Sequence, residues 1–419
     1  MHWGQSKRQG EKALLLCLII SMFLGLWMPT TVVAEQDESL DSLQIQSRSY
    51  VLLEMESGRI IAGENEQKAY APASLTKMMT EYVILQEIKE SRLDWDETVT
   101  VSKNAASIGE AQVFLRKGEK RTVEELFYAL SIQSANDAAV ALAEHVAGSE
   151  TAFVGMMNET AKEMGLEKTH FRNSTGLPMW LYVNPPKVGG DHVMSATDVA
   201  VLTRRLLHDY PEVQEIISQP RYFFRKGEAR EMKLINTNRM LPGLSHYYEG
   251  VDGVKTGFTS RAGYCFAGSA QQDGVRLITV VMGSSSKSQR FKETAKLLDY
   301  GFEQIQLRNW IKEGDSIPGM NKVQVEDGVE TEVALQAEVT LRYPVRKGEE
   351  DRYSWAVDLD DELTAPLKTG DVVGKATFLY DGKEVEGVKP ISIVVAQDVE
   401  AAGWLRLFCR RMIGYFSVG

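Results

Sequence analysis

The sequence predicts a mixed α/β domain followed by a small all-β domain of sandwich type. Three observations predict this. Over residues 45–305, β-rich runs alternate with runs whose apolar residues recur at helical spacing. Over residues 315–397, short β-type runs alternate with Gly, Asp and Lys turns, with no helical run between them. The chain has 419 residues, 43% hydrophobic and 25% charged, which is globular composition with room for more than one core.

Each element follows in order. Lys7, Arg8 and Lys12 precede an apolar run over 13–28, then Val32-Val33-Ala34 and the acidic Glu35-Gln36-Asp37-Glu38. A basic, then apolar, then small-residue order describes a secretory signal peptide, residues 1–34, cut after Ala34. An uncleaved membrane anchor is the alternative. Residues 35–47 read as a short polar leader. Runs over 50–55 and 59–62 flank Ser57-Gly58 and predict a hairpin. Leu75, Met78, Met79, Tyr82, Val83 and Ile84 predict a buried helix starting near Ser74. Helical runs follow over 123–148 and 151–164, a strand over 275–282, and a helix over 290–302. The β domain is expected to use runs 323–325, 332–341, 353–359, 372–380 and 391–395. Over 400–419, Ala401, Trp404, Leu405, Phe408, Met412 and Tyr415 share one helical face, and Arg406 and Arg410 another, with Arg411 beside them. Such a helix fits a membrane interface; the alternative is a helix packed on a core.

Several classes of function are excluded early. The net charge of −11, from 47 basic and 58 acidic residues, disfavours nucleic acid, whose phosphates need a basic patch. With 3 cysteines there is no disulfide framework and no cysteine-built zinc site. The 6 histidines are scattered with no H-E-x-x-H, which disfavours a metallopeptidase, so no metal or cofactor is expected.

Three motifs carry the chemistry. Ser74-Leu75-Thr76-Lys77 is an S-x-x-K, Ser134-Ala135-Asn136 an S-x-N, and Lys255-Thr256-Gly257 a K-T-G. Each alone is weak, but their joint occurrence in this order is specific. Residues three apart on a helix share a face, so Lys77 can reach the Ser74 hydroxyl. A serine needs a base to become a nucleophile, and a lysine serves only when its pKa is lowered by burial or by a nearby cation, here Lys255. Ser134 is placed to relay a proton and Asn136 to hold a substrate amide. Lys255 and Thr256 attract a substrate carboxylate beside an edge strand, and Gly257 permits close approach. A second K-T-G, Lys368-Thr369-Gly370, lies in the β domain without partner motifs and reads as a turn.

This trio resembles that of the penicillin-binding proteins and active-site serine β-lactamases. Pro72-Ala73-Ser74-Leu75-Thr76-Lys77-Met78-Met79-Thr80, Asn173-Ser174-Thr175-Gly176-Leu177-Pro178, Met194-Ser195-Ala196-Thr197-Asp198-Val199-Ala200 and Asn236-Thr237-Asn238-Arg239 look like the D-alanyl-D-alanine carboxypeptidases, the low-molecular-mass penicillin-binding proteins. The resemblance implies a β-lactamase/transpeptidase-like fold, an antiparallel sheet flanked by helices. It implies that the terminal D-alanine is removed from peptidoglycan stem pentapeptides outside the cytoplasmic membrane, and that β-lactams acylate Ser74. It further implies that the Phe258 N–H completes the oxyanion site and that Arg290 helps bind the terminal carboxylate. Phe258 departs from relatives that have histidine there. The alternatives are a serine β-lactamase, which needs a deacylating carboxylate that Glu159, Glu163 and Glu167 do not evidently supply, and a wall-binding protein with little catalysis.

Overall fold

A computed structural model describes residues 43–320, 322–360 and 362–416; the predicted signal peptide lies outside them. Strands β1 (Ser49–Glu54) and β2 (Ile60–Glu64) form the expected hairpin, paired from Tyr50↔Glu64 to Leu53↔Ile60. All six residues of β1 are buried, so the strand reads as a continuous apolar run and not as an alternating one. Two small hairpins follow, β3 (Thr98–Thr100) with β4 (Lys120–Thr122) and β5 (Arg221–Phe224) with β6 (Met232–Ile235). Strands β7 (Val251–Thr259), β8 (Gly263–Gln272) and β9 (Val275–Ser284) complete an antiparallel sheet in the order β2-β1-β9-β8-β7. β7, which carries the K-T-G, is therefore an edge strand.

Helices cover both faces. They are α1 (Lys77–Lys89), α2 (Val123–Gln133), α3 (Asn136–Ala147), α4 (Glu150–Glu163), α5 (Ala196–Asp209), α6 (Val213–Ile217) and α7 (Gln289–Gln304). Val51, Leu53, Ile278 and Val280 join Met78 and Met79 of α1 and Leu202 and Leu206 of α5 in one core. On the other face Phe266 of β8 meets Phe291 of α7 edge-on, 5.3 Å between ring centres. The helical run expected over 123–148 is two helices. It breaks at Ser134, which is left-handed (φ 62°), while a capping box of Thr122 and Glu125 starts α2. Ser195 caps α5 by accepting from the Asp198 N–H.

The β domain begins at β10 (Ile305–Ile311), which pairs with β13 (Leu341–Arg346). The larger sheet runs β11 (Lys322–Gln324), β12 (Glu332–Ala337), β17 (Ile391–Val395), β15 (Val372–Tyr380), β14 (Tyr353–Leu359), with β16 (Lys383–Glu384) pairing β15. The strand expected over 332–341 is split. Ala337 pairs Ile393 in the larger sheet and Leu341 pairs Ile311 in the ribbon, so the chain turns a corner between them. Arg59, in the β1–β2 turn, ties the two domains: it pairs Glu349 at 2.6 Å, donates to the Tyr353 hydroxyl at 3.2 Å and lies over the Tyr380 ring.

The chain closes with α8 (Trp404–Phe416). Trp404, Leu405, Phe408 and Met412 are exposed, whereas Arg410 donates to the Gly328 and Val329 carbonyls of the β domain at 2.6 and 2.8 Å. The apolar face thus points away from the β-domain core. Among the described residues no helix is long and apolar enough to cross a membrane.

Candidate active site

The nucleophile segment is a tight turn. Ala73–Thr76 is a 3₁₀ helix, and the α-helix begins at Lys77, slightly later than the periodicity predicts. Ala73 is held at φ +50°, a left-handed conformation that an alanine adopts only under outside constraint. Three contacts supply that constraint. His192 Nδ1 accepts from the Arg172 N–H, so its Nε2 carries the proton and donates to Thr76 Oγ1 at 2.8 Å; Thr76 in turn donates to the Ala73 carbonyl. Burial drives the His192 pKa down to about 3, so the ring is neutral. Gly176 (φ +82°) packs on the same turn, where an added Cβ would lie 1.8 Å from the Ala73 carbonyl oxygen. Gly257 of β7 closes from the other side, its missing Cβ 3.1 Å from the Ser74 nitrogen.

Lys77 is fully buried beneath Ser74, and its Nζ lies 3.2 Å from Ser74 Oγ, 2.6 Å from Asn136 Oδ1 and 2.8 Å from the Thr175 carbonyl. Two of these partners are carbonyl-type oxygens and can only accept. A neutral amine has two N–H donors and one lone pair, so the lone pair is left for the one partner that can give a proton, Ser74. Burial, then the charge of Lys255, holds Lys77 well below the ordinary lysine value, against opposing pulls from Glu81, Asp137 and Glu150. This geometry and this pKa direction are what a general base requires.

Across the cleft Lys255 Nζ donates to Ser134 Oγ at 2.7 Å and to the Thr256 carbonyl at 3.2 Å. With its oxygen accepting from Lys255, the Ser134 hydroxyl keeps its own proton to donate. Burial lowers the Lys255 pKa, which Glu81 opposes. Glu81 is a residue that the motifs missed, although it lies four residues after Lys77 on α1, where spacing alone places it near the lysine. It is fully buried, with Oε1 accepting from Ser131 at 2.8 Å and Oε2 without a partner, and burial raises its pKa.

The cleft above these groups has a volume of about 520 Å³ and is lined by Ser74, Ser134, Asn136, Thr256, Gly257, Phe258 and Arg290 among others, with Lys77 and Lys255 under its floor. Two residues of the lining also make contacts within the protein. Asn136 is committed to the base through Oδ1, and one of its amide hydrogens goes to the Gly109 carbonyl at 2.9 Å, so a single N–H remains for a substrate. Arg290 is a buried strut from α7: its Nη1 donates to the Gly257 and Cys265 carbonyls at 3.1 and 3.2 Å, its Nε has no partner, and burial lowers its pKa to about 10. Phe258 is half exposed and stacks on Tyr264, 4.3 Å between ring centres. Glu159, Glu163 and Glu167 are exposed and do not line the cleft. The second K-T-G is an exposed turn in which Thr369 donates to Asp398.

A buried low-pKa lysine under a serine, a second lysine–serine pair opposite and an open strand edge between them define an active-site serine acyl-transfer enzyme. Residues 32–286 match the family described as D-alanyl-D-alanine carboxypeptidase, and residues 306–401 match the penicillin-binding protein 5 C-terminal domain. The chain belongs to the D-alanyl-D-alanine carboxypeptidase family. It is 32% identical over 402 residues to the D-alanyl-D-alanine carboxypeptidase DacF of Bacillus subtilis, covering 96% of this chain and 98% of that one. Among solved structures, penicillin-binding protein 3 of Streptococcus pneumoniae, described as a peptidoglycan synthesis regulatory factor, superposes with a TM-score of 0.72 at 30% identity, covering 85% of this chain and 100% of that one. Penicillin-binding protein D2 of Listeria monocytogenes, solved with ampicillin, gives 0.54 at 32% identity, covering 62% of this chain and 99% of that one.

Proposed function

We propose that the chain is a serine D-Ala-D-Ala carboxypeptidase that trims the terminal D-alanine from peptidoglycan stem pentapeptides through an acyl-enzyme on Ser74. The observation that carries this is the donor–acceptor count at Lys77, which leaves its lone pair for Ser74 alone. Ser74 Oγ attacks the carbonyl between the two D-alanines and its proton passes to Lys77. The N–H groups of Ser74 and Phe258 hold the oxyanion, a contribution typically of ~3 kcal/mol per donor. Lys255 and Thr256 attract the terminal carboxylate, helped by the charge of Arg290 in the cleft wall. Ser134 gives its proton to the amine of the departing D-alanine and takes the proton held by Lys77 in return, which leaves Lys77 neutral. Water then attacks the ester, Lys77 takes its proton, and that proton passes to Ser74 Oγ as the ester breaks.

β-Lactams mimic the same dipeptide and would acylate the same oxygen, in keeping with the ampicillin complex of the Listeria relative. The β-lactamase alternative is disfavoured because Glu159, Glu163 and Glu167 stand outside the cleft, whose lining carboxylate, Glu110, belongs to none of the motifs. In this reading residues 1–34 direct export and are removed, 45–305 form the catalyst, 315–397 a spacer, and 400–419 seat the protein peripherally on the extracytoplasmic face of the cytoplasmic membrane. The exposed Trp404, Leu405, Phe408 and Met412 support that seating.

The test is labelled penicillin with peptide mapping, run beside D-alanine release from an acyl-D-Ala-D-Ala peptide. Label on the peptide containing Ser74 together with D-alanine release is expected. Label elsewhere sinks the mechanism, and rapid penicillin turnover without D-alanine release identifies a β-lactamase.

A further inference from the structure

A second pocket of about 450 Å³ adjoins the catalytic cleft and shares Leu177, Pro178, Trp180, Thr259 and Ser260 with it. Its remaining wall carries Arg172, Asp191, His192 and Arg261. The direction of the substrate along β7 can be derived from the order of its residues. The carboxylate end meets Lys255 and Thr256, and the scissile carbonyl meets Ser74 and the Phe258 N–H. The part of the acyl donor that precedes the scissile bond must therefore run on past Thr259, toward Arg261. β7 ends at Thr259 and Ser260 and Arg261 form the turn to β8, so a donor extended at ~3.3 Å per residue leaves the strand end and passes that turn with its second or third upstream residue.

The second pocket lies on that path, and its charges are set for an anion. Arg172 uses its Nε on the Val188 carbonyl, and Arg261 is exposed in the turn that follows β7. His192 is neutral, so Asp191 is the one acidic residue in the lining against two arginines. Trp180, 78% exposed, forms a wall common to both pockets and offers an aromatic face to a chain passing between them.

We propose that this pocket is a subsite for the acyl-donor side of the substrate, in which Arg172 and Arg261 receive a carboxylate carried two or three residues upstream of the scissile bond. The proposal rests on the carboxypeptidase reading above and names the part of the donor that sets its preference. A solvent-open ion pair of ~1 kcal/mol corresponds to about fivefold in kcat/KM.

The experiment compares Nα-glutaryl and Nα-pentanoyl versions of one acyl-D-Ala-D-Ala tripeptide, which differ by a carboxylate at nearly constant length. D-alanine release is measured, with active sites counted by penicillin labelling. The full chain should favour the glutaryl donor by about fivefold, Arg261→Gln should bring the ratio near one, and Arg261→Glu should invert it, as expected for a charge at the rim of a site. A wild-type ratio near one, or a ratio unmoved by Arg261→Glu in protein that still labels, overturns the subsite and leaves the carboxypeptidase reading standing. Release from neither donor overturns both.

Discussion

Replacing Lys77 by methionine keeps the length and most of the volume of the side chain but removes its nitrogen. Two effects can be separated. Asn136 Oδ1 and the Thr175 carbonyl, both buried, lose the donor that lies at 2.6 and 2.8 Å. Each orphaned acceptor costs ~1–3 kcal/mol. Part of this is offset because the buried neutral amine of Lys77 itself costs desolvation, which a methionine side chain does not. A net loss of ~1–4 kcal/mol is expected, and the fold should survive. The loss of the base is larger in rate: about 10²- to 10⁴-fold, since among the described residues Lys77 is the one proton acceptor within hydrogen-bonding distance of Ser74 Oγ. The assay is stopped-flow or quenched labelling with a reporter penicillin, normalised to folded protein by circular dichroism. Acylation by folded Lys77→Met within tenfold of wild type would refute Lys77 as the base.

Three further outcomes are expected. Glu81→Gln removes a carboxylate that raises both Lys77 and Lys255, so both lysines lose their protons at lower pH. Activity needs Lys77 neutral and Lys255 charged, hence both limbs of the pH–rate bell move to lower pH. Burial lifts the pKa of Glu81 itself, so it is charged mainly on the alkaline side and that limb moves further; an unmoved alkaline limb contradicts the coupling. Gly176→Ala forces a Cβ to 1.8 Å from the Ala73 carbonyl at φ +82° and should cost ~1–3 kcal/mol in a thermal melt and slow acylation; unchanged labelling would show that the turn tolerates it. Truncation after Glu400 should release the protein from anionic vesicles in flotation, since it removes the exposed Trp404–Met412 face, and retained flotation would place the membrane contact elsewhere.

The legible parts of the fold were those written in local pattern. The β1–β2 hairpin, α1, α7 and β9 follow from apolar spacing and turn residues that lie within one element. The split of 123–148 was half visible, since Ser134 ends an apolar run, but its left-handed φ depends on how α2 and α3 are held apart. The break between Ala337 and Leu341 was not visible, because both flanks are strand-like and only their partners differ. Glu81 could have been found by spacing from Lys77. His192 could not, since the bond that joins it to Thr76 spans 116 residues.

The sequence by itself determined the reacting groups. S-x-x-K, S-x-N and K-T-G single out the proposed nucleophile, base, proton relay and carboxylate ligands, because i, i+3 spacing on a helix and a glycine on a strand are local geometry. Only the tertiary structure decided their electrical state and their division of labour. Lys77 meets Asn136 and Thr175 from 59 and 98 residues away, and Lys255 meets Ser134 from 121. Those contacts withdraw both lysines from water and hold Asn136 on the Lys77 amine. The physical reason is that desolvation and hydrogen-bond saturation depend on everything packed around a group, and a short motif specifies only its nearest neighbours.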